Sequence, residues 1–264
     1  KADTHLYGQV SAMVSAPESP HGRRVVCIGG CIAQRDGSDI REHMRNVDVV
    51  FGTRAIASLP ELILEALNGS KKSVFADTSE DDPRFSSDLP SRREDTWHAW
   101  VPIMTGCNNF CSYCIVPYVR GRERDRAFED VIDEVRRLHE DGVREVCLLG
   151  QNVNSFGRQR YGSPRFAELL RAVGETGIER IRFTSSHPKD LSDETIAAMA
   201  ETPAVMPQLH LAVQSGSTRV LKAMNRHYTR EDYLALAERI KAANPGIALS
   251  TDIIVGFPGE TEED

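Results

Sequence analysis

Thr105-Gly106-Cys107-Asn108-Asn109-Phe110-Cys111-Ser112-Tyr113-Cys114 carries three cysteines at Cys-x-x-x-Cys-x-x-Cys spacing, directly after an apolar run at residues 100–104. Three thiolates on one short loop can each bind one iron of a cubane cluster. The fourth iron then lacks a protein ligand and can hold a small molecule. The competing reading is structural zinc, which takes four closed ligands, often from two Cys-x-x-Cys knuckles. No second knuckle exists here, and the nearest candidate fourth ligand is His98. A disulfide framework is disfavoured, because six cysteines in 264 residues are sparse and three of them crowd one loop.

The length suits one large domain or two modest ones. No run of about eighteen apolar residues and no signal peptide is visible, so no membrane role is expected. Reduced cysteines with an iron–sulfur site point to a cytoplasmic protein. The formal charge of −7 argues against a nucleic-acid binder that uses its whole surface, while leaving room for a local basic patch. The chain begins at Lys1. It ends at Glu260-Thr261-Glu262-Glu263-Asp264, where Thr261 and the acids after it suit the start of a helix. Both ends read as cut, so an internal fragment of a longer protein is expected.

Outward from the triad, the chain divides in three. In residues 1–76, residues 3–13 read as the tail of a helix, broken by Pro17, Pro20 and Gly22. A strand at 25–28 runs into a glycine turn before Cys31, and Ile40, Met44 and Val47 follow at helical spacing. A second strand covers 47–52. The next helix has Ser58 and Glu61 as a capping box, Leu59, Leu62, Ile63, Ala66 and Leu67 on one face, and Gly69 as its stop. This is a small Rossmann-like parallel α/β unit. Residues 77–97 are polar and turn-rich and read as a linker. Residues 98–264 repeat strand and helix five times, with strands at 100–104, 143–149, 178–184, 208–213 and 247–255. Helix faces run through Phe128, Val131, Ile132, Val135 and Leu138; through Phe166, Leu169, Leu170 and Val173; and through Leu234, Ala237 and Ile240, with Thr229 as an N-cap. The expected architecture is a partial parallel (β/α) barrel. Its active site belongs at the C-terminal strand ends, where the cysteine loop, Gly150-Gln151-Asn152, Ser185-Ser186-His187-Pro188, Gln214-Ser215-Gly216-Ser217 and Gly256-Phe257-Pro258-Gly259-Glu260 fall.

A Cys-x-x-x-Cys-x-aromatic-Cys loop after the first strand of such a barrel resembles the radical S-adenosylmethionine (SAM) enzymes. The resemblance implies that the open iron chelates SAM, and that an electron from the cluster cleaves it to a 5′-deoxyadenosyl radical that abstracts hydrogen. The run from Gly106 to Tyr118, followed by Arg120-Gly121-Arg122-Glu123, is similar to the methylthiotransferase family. So are His210-Leu211-Ala212-Val213-Gln214-Ser215-Gly216-Ser217 and Asp252-Ile253-Ile254-Val255-Gly256-Phe257-Pro258-Gly259-Glu260-Thr261. Leu148-Leu149-Gly150-Gln151-Asn152-Val153-Asn154-Ser155 is most similar to the MiaB-type branch. That branch implies methylthiolation of C2 of N(6)-isopentenyladenosine beside the tRNA anticodon. It also implies a second, auxiliary [4Fe-4S] cluster, a tRNA anticodon stem-loop as partner, an electron donor such as flavodoxin or ferredoxin, and a monomer. The alternatives are a sibling acting on threonylcarbamoyladenosine tRNA or on a ribosomal-protein aspartate, and a non-catalytic zinc or iron–sulfur module. The family's C-terminal TRAM domain and the last part of the barrel are not in this sequence.

By that resemblance, Cys107, Cys111 and Cys114 ligate the radical SAM cluster. Tyr113 packs on the SAM adenine or is a core aromatic. Gly150 and Gln151 meet the amino or carboxylate end of SAM or form a plain strand-terminal turn. Gln214 and Ser215 reach the ribose or the substrate. Gly29-Gly30-Cys31-Ile32-Ala33-Gln34 matches the family, with Cys31 the third ligand of the auxiliary cluster and its two partner cysteines upstream. One cluster, not two, is therefore expected in this chain. Cys27 and Cys147 read as core. Arg120, Arg122, Arg124 and Arg126 contact tRNA phosphates or sit in a solvated loop paired with Glu123 and Asp125. Asp125 stands where the family has serine. His187 and His210 are structural or line the rim.

Overall fold

The computed structural model describes residues 2–16, 22–44, 46–69, 75–76, 93 and 95–264. Pro17, Pro20 and most of the 77–97 segment lie outside the described residues. The described residues of Lys1–Pro90, with Tyr118–Arg120, form one compact unit; those of Ser91–Pro117 and Gly121–Asp264 form a second.

The first unit runs α1 (Ala2–Ser15), β1 (Cys27–Gly29), α2 (Cys31–His43), β2 (Val49–Phe51), a 3₁₀ turn at Ala55–Ser58, α3 (Leu59–Leu67) and β3 (Phe75–Ala76). Its strands pair in parallel in the order β1-β2-β3, with Ile28 opposite Val50 and Val50 opposite Phe75. Val10, Ile28, Ala33, Ile40 and Val50 form one apolar cluster, and Val49, Phe51, Ala55, Leu62 and Ala66 form another. The expected capping box at Ser58 does not form. The chain is already turning through Ala55–Ser58, so the Leu59 N–H bonds back to the Ile56 carbonyl and the Ser58 side chain makes no capping bond. Leu62 and Ala66 carry the buried face of α3, and Leu67 is exposed.

The second unit holds β4 (His98–Pro102), β5 (Met104–Thr105), α4 (Val116–Val119, whose last two residues group with the first unit), β6 (Arg124–Asp125), α5 (Phe128–Glu140) and β7 (Glu145–Leu149). It continues with α6 (Arg158–Tyr161), α7 (Phe166–Gly174), β8 (Arg180–Phe183), α8 (Asp193–Glu201), β9 (Gln208–His210), α9 (Thr218–Ala223), α10 (Arg230–Ala243) and β10 (Ala248–Ser250). Strands β4, β7 and β8 pair in parallel, with Val101 opposite Leu148 and Val146 opposite Ile181. Single parallel bridges, Ile181 to Val205 and Ser186 to Leu211, carry the order on to β9, which pairs with β10. The strands thus follow one another in sequence order, each after a helical crossover, as in one arc of a (β/α) barrel.

Alternation is absent from β7, where Glu145, Val146, Cys147 and Leu148 are all buried, as expected for a central parallel strand covered on both faces. The helix face Phe128, Val131, Ile132, Val135 and Leu138 is buried in full in the same core, with α5 lying against β4 and α7. Two details depart from expectation. Helix α10 turns Leu236 and Ile240 inward, with Tyr233 packing beside them, and leaves Leu234 exposed. Thr229 does cap it, in a reciprocal box with Asp232. The final strand is short: residues 248–250 pair with β9, and only one further bridge, Gln214 to Ile253, extends it.

Candidate metal centre

The cysteine loop is closed at its neck by strand pairing. Strands β5 and β6 pair antiparallel, Met104 opposite Asp125 and Thr105 opposite Arg124, so residues 106–123 leave and return at one point. At the neck Gly106 takes φ +79°, and a Cβ there would stand 2.1 Å from the Arg122 carbonyl oxygen and 2.6 Å from that of Gly121. Only glycine fits. The Gly106 N–H donates to Gln151 Oε1 at 2.7 Å, and the Cys107 N–H to the Gly121 carbonyl at 3.2 Å. Asn108 gives its backbone N–H and side-chain amide to the two oxygens of buried Glu123.

The far side of the loop rests on the end of α9. The Ser112 N–H and hydroxyl donate to the Met224 and Ala223 carbonyls, both at 3.0 Å. Asn225 donates its amide to the Phe110 carbonyl at 2.9 Å. Cys107 and Cys111 are buried and Cys114 is half-buried. Burial pushes the Cys107 thiol up to about 11, against the Asn109 N–H that donates to its sulfur, and the negative charges of Glu123, Cys111 and Cys114 add to the rise. The Cys111 and Cys114 sulfurs are thus close enough to act on Cys107. Bound metal would displace the proton that the Cys107 thiol holds at neutral pH.

Arg226, which the sequence reading passed over, lies against this centre. It is buried, and its Nη1 donates to Cys111 Sγ at 3.5 Å. Its other nitrogens donate to the Ala212 carbonyl at 2.8 Å and the Tyr228 hydroxyl at 2.8 Å, and Nη1 also lies 3.4 Å from the Tyr113 hydroxyl. A buried cation and a backbone N–H aimed at ligand sulfurs are the donors that stabilise thiolate charge in an iron–sulfur site. Burial raises the Tyr113 phenol, opposed by Arg226, and Tyr113 keeps about two-fifths of its surface exposed.

The other strand ends converge on the same rim. Gly150 packs so tightly that a Cβ would stand 2.6 Å from Met104 Cγ. Ser215 is buried, its hydroxyl accepting the Ser217 N–H at 3.1 Å, and Gln214 takes φ +71°. Behind Gln151, Asn152 donates to Asp190, Lys189 Nζ donates to Asn109 Oδ1, and His187 N–H donates to Asn154. All four non-glycine residues with positive φ among the described ones lie on this rim: Phe110, Ser185, Gln214 and Asn225. Strained backbone of this kind gathers where function over-determines geometry.

The radical SAM superfamily model matches residues 101–264, from the first barrel strand through the triad to the end. The chain belongs to the radical SAM superfamily. It is 51% identical over its whole length to a tRNA-2-methylthio-N(6)-dimethylallyladenosine synthase of Salinispora arenicola and 50% identical to one of Acidothermus cellulolyticus. The chain spans 52% of each, about half the length of the curated relatives it matches. Among solved structures it is similar to the cobalamin-dependent SAM radical enzyme OxsB with aqua-cobalamin and SAM bound. That match covers 95% of this chain and 38% of OxsB, with a TM-score of 0.62 and 14% identity, a likeness of fold alone.

Within this radical SAM domain several expectations change. His98, the candidate fourth zinc ligand, starts β4, whereas the triad follows the strand's other end. It pairs instead with Glu145 at 4.0 Å, which also receives Arg180 and Arg182. Among the described residues no three His, Cys, Asp or Glu side chains converge on a single-ion site. Cubane ligands each hold a different iron and need not converge in that way. Of the four loop arginines, Arg126 is turned inward. It is buried, donating to the Pro102 carbonyl at 2.8 Å and to Glu134 at 2.5 Å, so it is not a phosphate contact. Glu123 holds Asn108, and Asp125 accepts the Gln159 and Arg160 N–H groups at the start of α6. In the first unit, Cys31 is half-buried at the first residue of α2, next to Gly30 at φ +97°. Cys27 and Cys147 have thiols raised chiefly by burial, Cys147 to about 11.

Proposed function

We propose that this chain is part of a radical SAM methylthiotransferase that modifies C2 of N(6)-isopentenyladenosine beside the tRNA anticodon. One observation carries the reading. A closed three-cysteine loop at the barrel rim coincides with about 50% identity, along the whole chain, to synthases named for that product. Cys107, Cys111 and Cys114 would hold a [4Fe-4S] cluster, and Asn109 and Arg226 would donate to its ligand sulfurs. With SAM bound, that cluster supplies a radical able to take hydrogen from an adenine C–H bond too weakly acidic for base catalysis at neutral pH.

The chain's own residues then hold and shield. Gln151 fixes the loop through the Gly106 N–H. Tyr113, Gly150, Gln151, Gln214 and Ser215 are the proposed SAM contacts. Cys31 is the proposed auxiliary-cluster ligand of the whole protein, in a first domain at residues 1–76, joined by 77–97 to the radical SAM domain at 98–264. A tRNA anticodon stem-loop, a flavodoxin- or ferredoxin-type donor, a monomeric state and a cytoplasmic setting complete the reading. No helix among the described residues is long and apolar enough to cross a membrane.

Anaerobic reconstitution tests it. Residues 1–264 should take up about four irons and give an EPR signal that SAM perturbs. Uptake of zinc without iron would sink the reading, and about eight irons per chain would refute the single-cluster assignment. The whole protein should yield the methylthio nucleoside by mass spectrometry, and exchange of residues 151–154 for a sibling's would test substrate choice.

A further inference from the structure

Behind the cysteine loop, the ends of β7 and β8 carry buried polar atoms that no group among the described residues satisfies. Asn152 Oδ1, Asn154 Nδ2, Ser186 Oγ and His187 Nε2 lack hydrogen-bond partners. Asn152 and Asn154 are 1% exposed, Ser186 5% and His187 7%. Buried polar groups are nearly always paired, so four orphans in one neighbourhood call for a ligand.

The orientation of each orphan is set by bonds on its other atoms. Asn152 Nδ2 donates to Asp190 Oδ2 at 2.8 Å, which leaves an acceptor free. Asn154 Oδ1 accepts the His187 N–H at 3.0 Å, which leaves a donor. His187 Nδ1 accepts the Lys189 N–H at 3.2 Å, so the proton of the neutral ring sits on Nε2, a second donor. Burial, then the Arg226 cation, hold that ring neutral by lowering its pKa to about 3. The Ser186 hydroxyl can serve either way.

The patch is therefore neutral: two donors, one acceptor and one hydroxyl. Asp190 is matched by Arg158 at 3.2 Å and by Lys189 at 3.8 Å, and the buried Arg226 cation already gives its donors to Cys111, Ala212 and Tyr228. A phosphate would need a free cation, and an aliphatic chain would leave all four atoms unsatisfied. An adenine edge fits: its ring nitrogens accept, and the one hydrogen left on an alkylated N6 donates. Enzymes that act on a base read it in this way after drawing it from its stack.

We propose that Asn152, Asn154, Ser186 and His187 read the base edge of the nucleoside that is modified. This rests on the methylthiotransferase reading above and adds the residues that choose the base.

Two variants isolate the contact. Ser186→Ala removes a hydroxyl that no atom of the described residues uses. Asn154→Asp keeps the oxygen that holds His187 and turns the donor into an acceptor. Binding of N(6)-isopentenyladenosine and of S-adenosylhomocysteine to the reconstituted protein is measured by equilibrium dialysis. Each variant should bind the nucleoside about two- to tenfold more weakly, the scale of one hydrogen bond. S-adenosylhomocysteine affinity and the SAM-perturbed EPR signal should hold, and Ser186→Ala should melt no lower than the parent. Unaltered nucleoside affinity in both variants, losses confined to S-adenosylhomocysteine, or a parent protein that binds no nucleoside would each overturn the assignment. A parent cluster whose EPR signal ignores SAM would instead overturn the underlying methylthiotransferase reading.

Discussion

Gly106→Ala should cost the second unit both stability and its metal. The new methyl would stand 2.1 Å from the Arg122 carbonyl oxygen, against an ordinary contact near 3.4 Å or more, and the obstacle is backbone rather than a side chain that can swing away. Alanine in left-handed backbone costs about 1–2 kcal/mol, and overpacking of this kind about 1–3 kcal/mol more. A total of about 2–5 kcal/mol would lower the melting midpoint of a unit this size by about 4–20 °C. The chain has one cheaper escape, which is to open the neck. That breaks the pairing of Thr105 with Arg124 and the bond from the Gly106 N–H to Gln151, and it scatters the three thiols. Either route is visible when thermal unfolding of the metal-free protein is paired with iron content after reconstitution. Gly216→Ala is the control, since nothing lies within 4 Å of the added carbon, and it should stay within about 0.5 kcal/mol. A Gly106→Ala protein that melts within about 0.5 kcal/mol of the parent and loads as much iron would refute the reasoning.

Arg226→Met should lower the cluster's midpoint potential. Losing a charge-assisted donor worth about 1.5–3 kcal/mol corresponds to about 60–130 mV for one electron, and EPR-monitored titration showing a shift under about 20 mV would count against the role. Asp125 has its carboxyl raised, chiefly by burial and against the N–H groups of α6 that favour its charge. The folded form thus keeps the proton to higher pH than the unfolded chain. Stability is greatest below the ordinary carboxylate range, near pH 4, and falls as pH rises through the folded value. Asp125→Asn should flatten that fall and be no less stable at pH 7; urea midpoints with an unchanged slope between pH 4 and 7 would contradict this.

Local pattern carried the barrel well where chemistry contrasts along the chain. Phe128, Val131, Ile132, Val135 and Leu138 announce α5 because charged residues separate them, and all five are buried. Helix α8 escaped notice because its alanines blur the face that Ile196, Ala198 and Met199 bury, although Ser192 caps it on the Thr195 N–H. The triad was legible because its three cysteines are neighbours in sequence. Arg226 was not, because α9 brings it to Cys111 across 115 positions, and no spacing records such a return. His98 shows the converse. It stands nine residues before Cys107, yet strand β4 runs between them and delivers the two to opposite ends. Arg126 looked like its three neighbours until Glu134, one helical segment onward, claimed it.

The closed neck has a consequence for how the protein ages. Every bond described at the neck and along the α9 support joins protein to protein: Gly106 to Gln151, Cys107 to Gly121, Ser112 to Ala223 and Met224, Asn225 to Phe110. Small zinc domains differ, since they unfold when stripped of metal. Here the loop also rests on these protein bonds, so iron lost as the protein ages would take away one of its supports and not all of them.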